Sequence, residues 1–387
     1  MPRKRVPAKK QYKSEKPKKK FPFLKIVFLL ALFGFILYTI FFVINVFSVN
    51  TVDITIPSNS TNYLLAGEGE DLEKTLIVFE EGEGDSKKVT DVYVYLLNSA
   101  KKQELLLYIP GNIYFAGLEE KFGNEIPVST FRYAGDFLQK GRGMEYAIWQ
   151  FNQLFGFKSN NYIFISAEGS EAFNEVFEDT SEMSGSIDKL KAFNEAFSYR
   201  KAFTHSHSLK LLNENIYSNF SFQAVRLKIQ QASVPNPKYK RIVMDYSEDK
   251  YLREGELITG DKIKVLNTLE SDKEFKNDLP LVLDRSLELE RVRIEVYNGS
   301  GIAGVAGSIG RKIANSGCDV VRYGNAPEEI EKTKIYVSDM ERFKNSFKIV
   351  DDSLEIDFEL VDGRPDFMTT GDIVVILGKD IEAMYSF

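Results

Sequence analysis

The pattern of apolar and polar positions divides the chain into three parts. The first is residues 26–47, IVFLLALFGFILYTIFFVINVF, a run without a charge. A helix rises about 1.5 Å per residue, so this run covers about 30 Å, the thickness of a hydrocarbon core. A buried core helix seldom runs this long uncharged, and a cleaved signal has a shorter apolar region followed by small residues. Here Ser48-Val49-Asn50-Thr51-Val52-Asp53 follows, with no such site. The pattern predicts one uncleaved transmembrane helix.

The second part, residues 50–268, alternates short apolar runs with helical periodicity. Residues 52–56 alternate like a strand and 76–79 form a compact apolar run, followed by an acidic, glycine-containing turn at 80–85. Residues 89–98 and 104–109 read as strands joined by a polar turn, hence a hairpin. Residues 131–140 and 144–154 place apolar residues three and four apart, and Gly156 closes the second helix. A strand is expected at 161–166, helices at 169–177 and 222–231, and strands at 241–245 and 262–266. Such alternation argues for an α/β (α+β) layered domain. Residues 269–290 are charged and read as a linker.

The third part, 291–380, opens on a cleanly alternating strand at 291–297. Asn298-Gly299-Ser300-Gly301 turns into a helix over 302–315, stopped by Gly317. Strands follow at 318–323 and 334–337, a helix at 339–347 and a strand at 372–377. This β-α-β-β-α-β order predicts a small two-layer sandwich.

Charge sets the orientation expected of the helix. The first 20 residues hold ten Lys/Arg and one acid, a net of +9 against −6 for the whole chain, so the remainder sums to −15. Lys/Arg beside a span are retained on the cytoplasmic side. The segment 1–25 is expected inside, touching anionic lipid, and everything after residue 50 outside. Nothing beyond the tail is basic, which argues against a nucleic-acid partner. Cys318 is the only cysteine and cannot form an internal disulfide. Both histidines, His205 and His207, share one tripeptide without acids or cysteines around them, which fits a solvated loop better than a metal site. Gly299-x-Gly301-x-x-Gly304 formally satisfies a dinucleotide fingerprint. The ribose-binding acid is missing where Arg322-Tyr323 stands, so the small residues are read as close helix–sheet packing. Gly299, Ser300 and Gly301 remain an anion-binding candidate, at a helix start.

Two stretches carry a family resemblance. The strand with Asp91, the polar turn and "LLLYIPGNIY" resemble the LytR-CpsA-Psr (LCP) envelope family. "VSTFRYAGDF…GRGMEYAIWQFNQLFGFKSNNYIFIS" is similar to that family's following helix and strand, and "NIYSNFSFQAVRLKIQQ" to a later helix start. "VRIEVYNGSGIAGVAGSIGRKIANSGCDVV", "KTKIYV" and "GDIVVILGKD" look like the C-terminal domain of many LytR-type wall proteins, over 291–380. The resemblance implies a single-pass cell-membrane protein with an LCP-like α/β/α domain outside. It implies transfer of a glycopolymer from a polyprenyl-diphosphate carrier to the cell wall, with arginines on the diphosphate and acids holding a divalent cation. Asp91 matches the first acid. Arg132 is nearby in sequence though not at a family position, Arg200 beside Lys201 is the arginine found where the resemblance implies a later cluster, near 185–210, and these three are the catalytic candidates. Gly111-Asn112 stands where the family has Arg-Asp, and Val128 where it has asparagine. The expectation is therefore a degenerate LCP-like domain that binds wall polymer, carrier lipid or an envelope protein without turnover. The alternative is an active glycopolymer phosphotransferase. No cofactor is expected, and magnesium only if the transfer runs.

Overall fold

The computed structural model describes residues 23–51, 54, 63–67, 71–116, 125–177 and 187–384. The basic tail and most of the strand expected at 52–56 lie outside the described residues. The apolar run forms α1 (Phe23–Asn50), and its stretch Lys25–Val49 is long and apolar enough to cross a membrane.

The first domain is built on a six-stranded mixed sheet. Its hairpin is as expected: β1 (Leu72–Glu81), β2 (Lys88–Asn98) and β3 (Gln103–Pro110) pair antiparallel in sequence. After the short strands β4 (Tyr114–Phe115) and β5 (Ile126–Pro127) come α2 (Phe131–Leu138) and α3 (Gly143–Phe155). Next are β6 (Asn161–Ile165), α4 (Ala167–Val176), α5 (Asp188–Ala196), α6 (Tyr199–Thr204) and α7 (Ser206–Glu214). β7 (Ile216–Ser218), α8 (Phe222–Ser233) and β8 (Lys240–Asp245) complete the sheet, whose order is β7-β6-β1-β2-β3-β8. β9 (Leu252–Glu256) and β10 (Lys262–Leu266) join β4 and β5 in a small second sheet.

Period-two alternation sends the residues of β1 and β2 to opposite faces, and both faces are apolar, so both must be covered. Leu76, Val78, Val92 and Val94 pack with Phe131, Ile148 and Phe151 on one side. Ile77, Phe79, Tyr93 and Tyr95 pack with Phe173, Phe193, Leu209 and Val225 on the other. The result is an α/β/α layered domain. The end of α1 joins the second of these layers through buried Val49, and Phe203 of α6 lies against Tyr38, Phe41 and Phe42 at ring distances of 5.3, 5.8 and 5.2 Å.

The segment 269–290, expected as a linker, is helical: α9 (Thr268–Val282) and α10 (Arg285–Glu290). Lys273, Lys276, Arg285 and Glu288 face water, while Phe275, Leu279 and Val282, four and seven positions apart, are buried in the first domain's core. Phe275 stacks on Phe157 at 5.3 Å. The charge run concealed a helical apolar stripe.

The second domain contains β11 (Arg293–Asn298), α11 (Val305–Asn315), β12 (Asp319–Asn325), β13 (Lys334–Val337), α12 (Lys344–Ser353), β14 (Glu359–Asp362) and β15 (Ile373–Leu377). Its sheet order is β12-β11-β15-β13-β14. Strand β14 was not expected. α12 begins five residues later than its periodicity suggested, and α11 begins at Val305 instead of 302. The two helices cover one face, with Ile294, Val296, Ile309, Ile313 and Val350 between the layers.

Direct bonds join the two domains. Arg311 of α11 donates to the carbonyls of Gln153 and Leu154 at the end of α3, at 2.5 and 2.8 Å, and to both carboxylate oxygens of Asp272. Asn315 donates to the Phe155 carbonyl at 3.1 Å. Phe275→Ala, which empties the site where α9 packs into the first domain's core, is expected to cost about 3–5 kcal/mol of stability in urea unfolding of the full chain.

Candidate functional site

The chemistry-bearing residues gather where β1 ends and β2 begins. Phe79 pairs with Asp91 and Glu80 with Val89, so Thr90 is an extra residue in β2. The bulge kinks the strand and leaves side chains of adjacent residues on different faces of the sheet. Beside it lies Gly111. A Cβ there would fall 2.0 Å from the Val89 carbonyl oxygen, and the Gly111 amide donates to the Thr90 carbonyl at 2.7 Å. Only glycine fits this close approach, so the guanidinium that the family resemblance implies here has no room. Val128, at the implied asparagine position, is fully buried in the core.

Asp91 faces the layer of α4 and α5. It accepts from the Tyr108 hydroxyl at 2.9 Å and from Lys189 Nζ at 2.8 Å. Lys189 also donates to Glu81 Oε1 at 2.5 Å and to Thr90 Oγ1 at 3.0 Å. All three ammonium protons are thus committed, and one cation is shared between two acids. Burial, then the adjacent Asp91 charge, pushes the Tyr108 phenol far above its ordinary value.

Arg132 lies on the other face. Its Nη1 donates to both oxygens of Glu80 at 2.9 and 2.7 Å, and its guanidinium lies 5.8 Å from the centre of the Tyr217 ring. Glu80 is 1% exposed. Burial raises its carboxyl above the usual range, with Arg132 opposing. Arg200 is exposed on α6, beside α1. The three catalytic candidates therefore do not come together: Asp91 and Arg132 sit on opposite faces and Arg200 faces solvent.

The cleft between the Glu81–Glu83 turn and α4, about 220 Å³, is open and lined by Glu81, Glu83 and Glu171 among others, and Asp91 does not line it. An acidic rim repels a diphosphate unless cations intervene. Among the described residues, no group of three or more His, Cys, Asp or Glu is placed to hold a metal ion. His205 starts α7, with Nδ1 2.7 Å from Thr204 Oγ1, and His207 lies within that helix.

The turn at Gly299–Gly301 is closed on itself. The Gly299 amide donates to the Leu377 carbonyl, the Ser300 amide to the Asn298 side chain, and the Ile302 amide to Ser300 Oγ. The helix begins beyond it at Val305, so the Gly299, Ser300 and Ile302 N–H groups are not offered to an anion. Sequence reasoning missed Glu80, Lys189 and Tyr108. Glu80 read as part of a polar turn, and Lys189 is brought in from a segment some hundred residues away, with no local signal.

The face of the second domain's sheet away from its helices holds a groove of about 290 Å³, lined by Ile330, Tyr336, Pro365 and Phe367 together with Lys334 and Asp366. One strand over, Glu295 accepts from Tyr297, Thr369 and Thr370 at 2.6–3.1 Å, which fastens the 367–370 loop beneath the groove. Burial opposes the charge on Glu295, but hydrogen bonds from Thr369, Tyr297 and Thr370 outweigh it and bring the carboxyl down to about 2.

Residues 291–380 match the family model described as "LytR cell envelope-related transcriptional attenuator", so the second domain is a LytR C-terminal domain. Solved structures similar to the chain include LytR-CpsA-Psr proteins. "TagT bound to LI-WTA" is 11% identical, covers 55% of this chain and 92% of its own, and has a TM-score of 0.36. TagV of B. subtilis is 12% identical over 56% and 98%, with a TM-score of 0.35. The transcriptional regulator yvhJ from Bacillus subtilis is 12% identical over 56% and 99%, with a TM-score of 0.36. No curated protein matches the chain.

Two outcomes are expected. Arg132→Met leaves Glu80 buried without its cation and should cost about 3–5 kcal/mol, most of it recovered in Arg132→Met/Glu80→Leu, as measured by a double-mutant cycle. The stabilisation from Glu295 is complete above the ordinary carboxylate value and is lost as pH falls through about 2. The stability gap between the wild type and Glu295→Gln should therefore close between about pH 4 and 2 in an acid titration.

Proposed function

We propose that this chain is a single-pass envelope protein, held by α1 with its basic N-terminal segment inside and both domains outside. Its work is to bind a wall glycan, carrier lipid or envelope partner without transferring phosphate. The observation that carries this reading is the internal commitment of its candidate groups. Asp91 is paired with Lys189 and Arg132 with Glu80, on opposite faces of the sheet. Phosphoryl transfer works by positioning charge around one phosphate, with cations converging on it. Here the cations are paired with acids of the chain, and the cleft at Glu81 is acidic.

The LytR C-terminal domain supports an envelope location. The groove of its open sheet face supports a glycan as the bound class. Tyr336 and Phe367 give it an aromatic surface, with a few polar groups in its lining, the usual composition of a pocket that recognises a small or repeating unit.

The test is native mass spectrometry of the full chain in detergent, incubated with polyprenyl-diphosphate-linked glycan, with and without magnesium. The reading predicts a ligand retained intact under both conditions. Release of the carrier phosphate with magnesium would overturn it in favour of a transferase.

A further inference from the structure

The last three turns of α1 are fastened to the first domain. Phe42, Asn45, Val46 and Val49, spaced three and four apart, are shielded there, and Val49 is buried. They form one stripe of the helix, and α6 and α7 lie against it. Phe203 of α6 meets the rings of Tyr38, Phe41 and Phe42 at 5.3, 5.8 and 5.2 Å. Ser206, at the start of α7, donates to Asn45 Oδ1 at 3.2 Å, and Asn213, near its end, to the Val49 carbonyl at 2.8 Å. The contacts thus move along α1 from Tyr38 to Val49, and α6 holds the end nearest the middle of the apolar run.

The other side of α1 gives the depth of this contact. Val43, Ile44 and Phe47 are 55, 58 and 67% exposed. In water they would form a bare apolar patch, whereas in a span they face lipid. The helix is therefore still in the membrane at the level of Phe47. Tyr38 and Phe42 lie further in, by about 8–13 Å at about 1.5 Å per residue. Phe203 is held at that level. An interfacial helix sinks its apolar face about 5–10 Å into the boundary between headgroups and acyl chains, which is close to this depth.

The composition of α6 suits that layer. Tyr199, four positions before Phe203 and so on the same helix face, is 75% exposed. Tyrosine is favoured where an apolar ring meets a polar surface. Residues 199–214 hold Arg200, Lys201 and Lys210 against Glu214, a net of +2 in an exterior portion that is strongly acidic. Lys201 donates to the Val176 carbonyl at 2.6 Å, and Arg200 is exposed. A long cationic side chain lays its stem in lipid and carries its charge up to headgroup phosphates.

We infer that α6 and the start of α7 form a membrane-docking element, immersed beside α1 in the leaflet on the side of the folded domains. Its partner is the lipid surface itself. The element adds a second contact with the bilayer and sets the height of the first domain. This inference rests on the reading of α1 as a membrane span.

The experiment uses the full chain in vesicles of phosphatidylcholine and phosphatidylglycerol in equal parts. A nitroxide is attached to a single cysteine, introduced by Tyr199→Cys, Leu30→Cys or Ile258→Cys in a Cys318→Ala background. Oxygen concentrates in lipid and a nickel chelate stays in water, so the ratio of their relaxation effects reads depth. Leu30 lies on α1 and reports the span, and Ile258, exposed between β9 and β10, reports water. The Tyr199 label should favour oxygen and lie within about 10 Å of the headgroup boundary, with the Leu30 label deeper and the Ile258 label in water. A Tyr199 label as open to nickel as the Ile258 label, with Leu30 in lipid, would overturn this inference and leave the span intact. A Leu30 label in water would overturn both. In the unaltered chain, a phospholipid with a diazirine near its headgroup should crosslink to the peptide around 199–206, and a peptide left unmarked would contradict the docking as well.

Discussion

The structure depends on how α3 ends. The last carbonyls of a helix have no partner within it and carry partial negative charge. In this chain those of Gln153, Leu154 and Phe155 are capped from the other domain, by Arg311 and Asn315 of α11. Asp272 of α9 holds both caps in place. Gly156 is left-handed at that point, and a Cβ on it would fall 2.7 Å from the Asn315 side chain. One contact thus closes a helix of the first domain, orients a helix of the second and fixes the helical segment between them.

That docking gives the second domain a defined position. Its covered face turns toward the first domain, and the Trp149 indole donates to the Met384 carbonyl at 3.2 Å across the same boundary. Its open face, with Tyr336 and Phe367, stays available. The same boundary encloses Lys74 and Lys312, with residues of both domains around them. A hydrophobic sheet can be covered in many ways. A capped helix end with a bidentate Arg311–Asp272 pair fixes one of them.

Much of this was legible in the sequence, for stated reasons. The hairpin of β2 and β3, the Gly156 stop and the strand at Lys334–Val337 follow from local pattern and turn chemistry. The uncharged run of α1 follows from length alone. What was not legible is non-local. α9 was hidden because its charges outnumber the buried Phe275, Leu279 and Val282. β14 carries exposed Glu359 and Leu360 and shows no alternation. In the site, Asp91 could be singled out on its strand, but its partner Lys189 and the Glu80–Arg132 pair are assembled by tertiary folding. Gly111 could be noted as a departure from the family pattern. Only the packing shows that the backbone of β2 occupies the space a side chain would need.

The central claim is that the two domains form one body, closed by the capped end of α3. The direct measurement is hydrogen exchange of the full chain through a urea series, resolved by segment. The account predicts that the amides of β1–β3 and of β11 and β15 lose protection together in the wild type, and in two separate steps in Arg311→Met. Separate steps already in the wild type would show two independent domains and contradict the account.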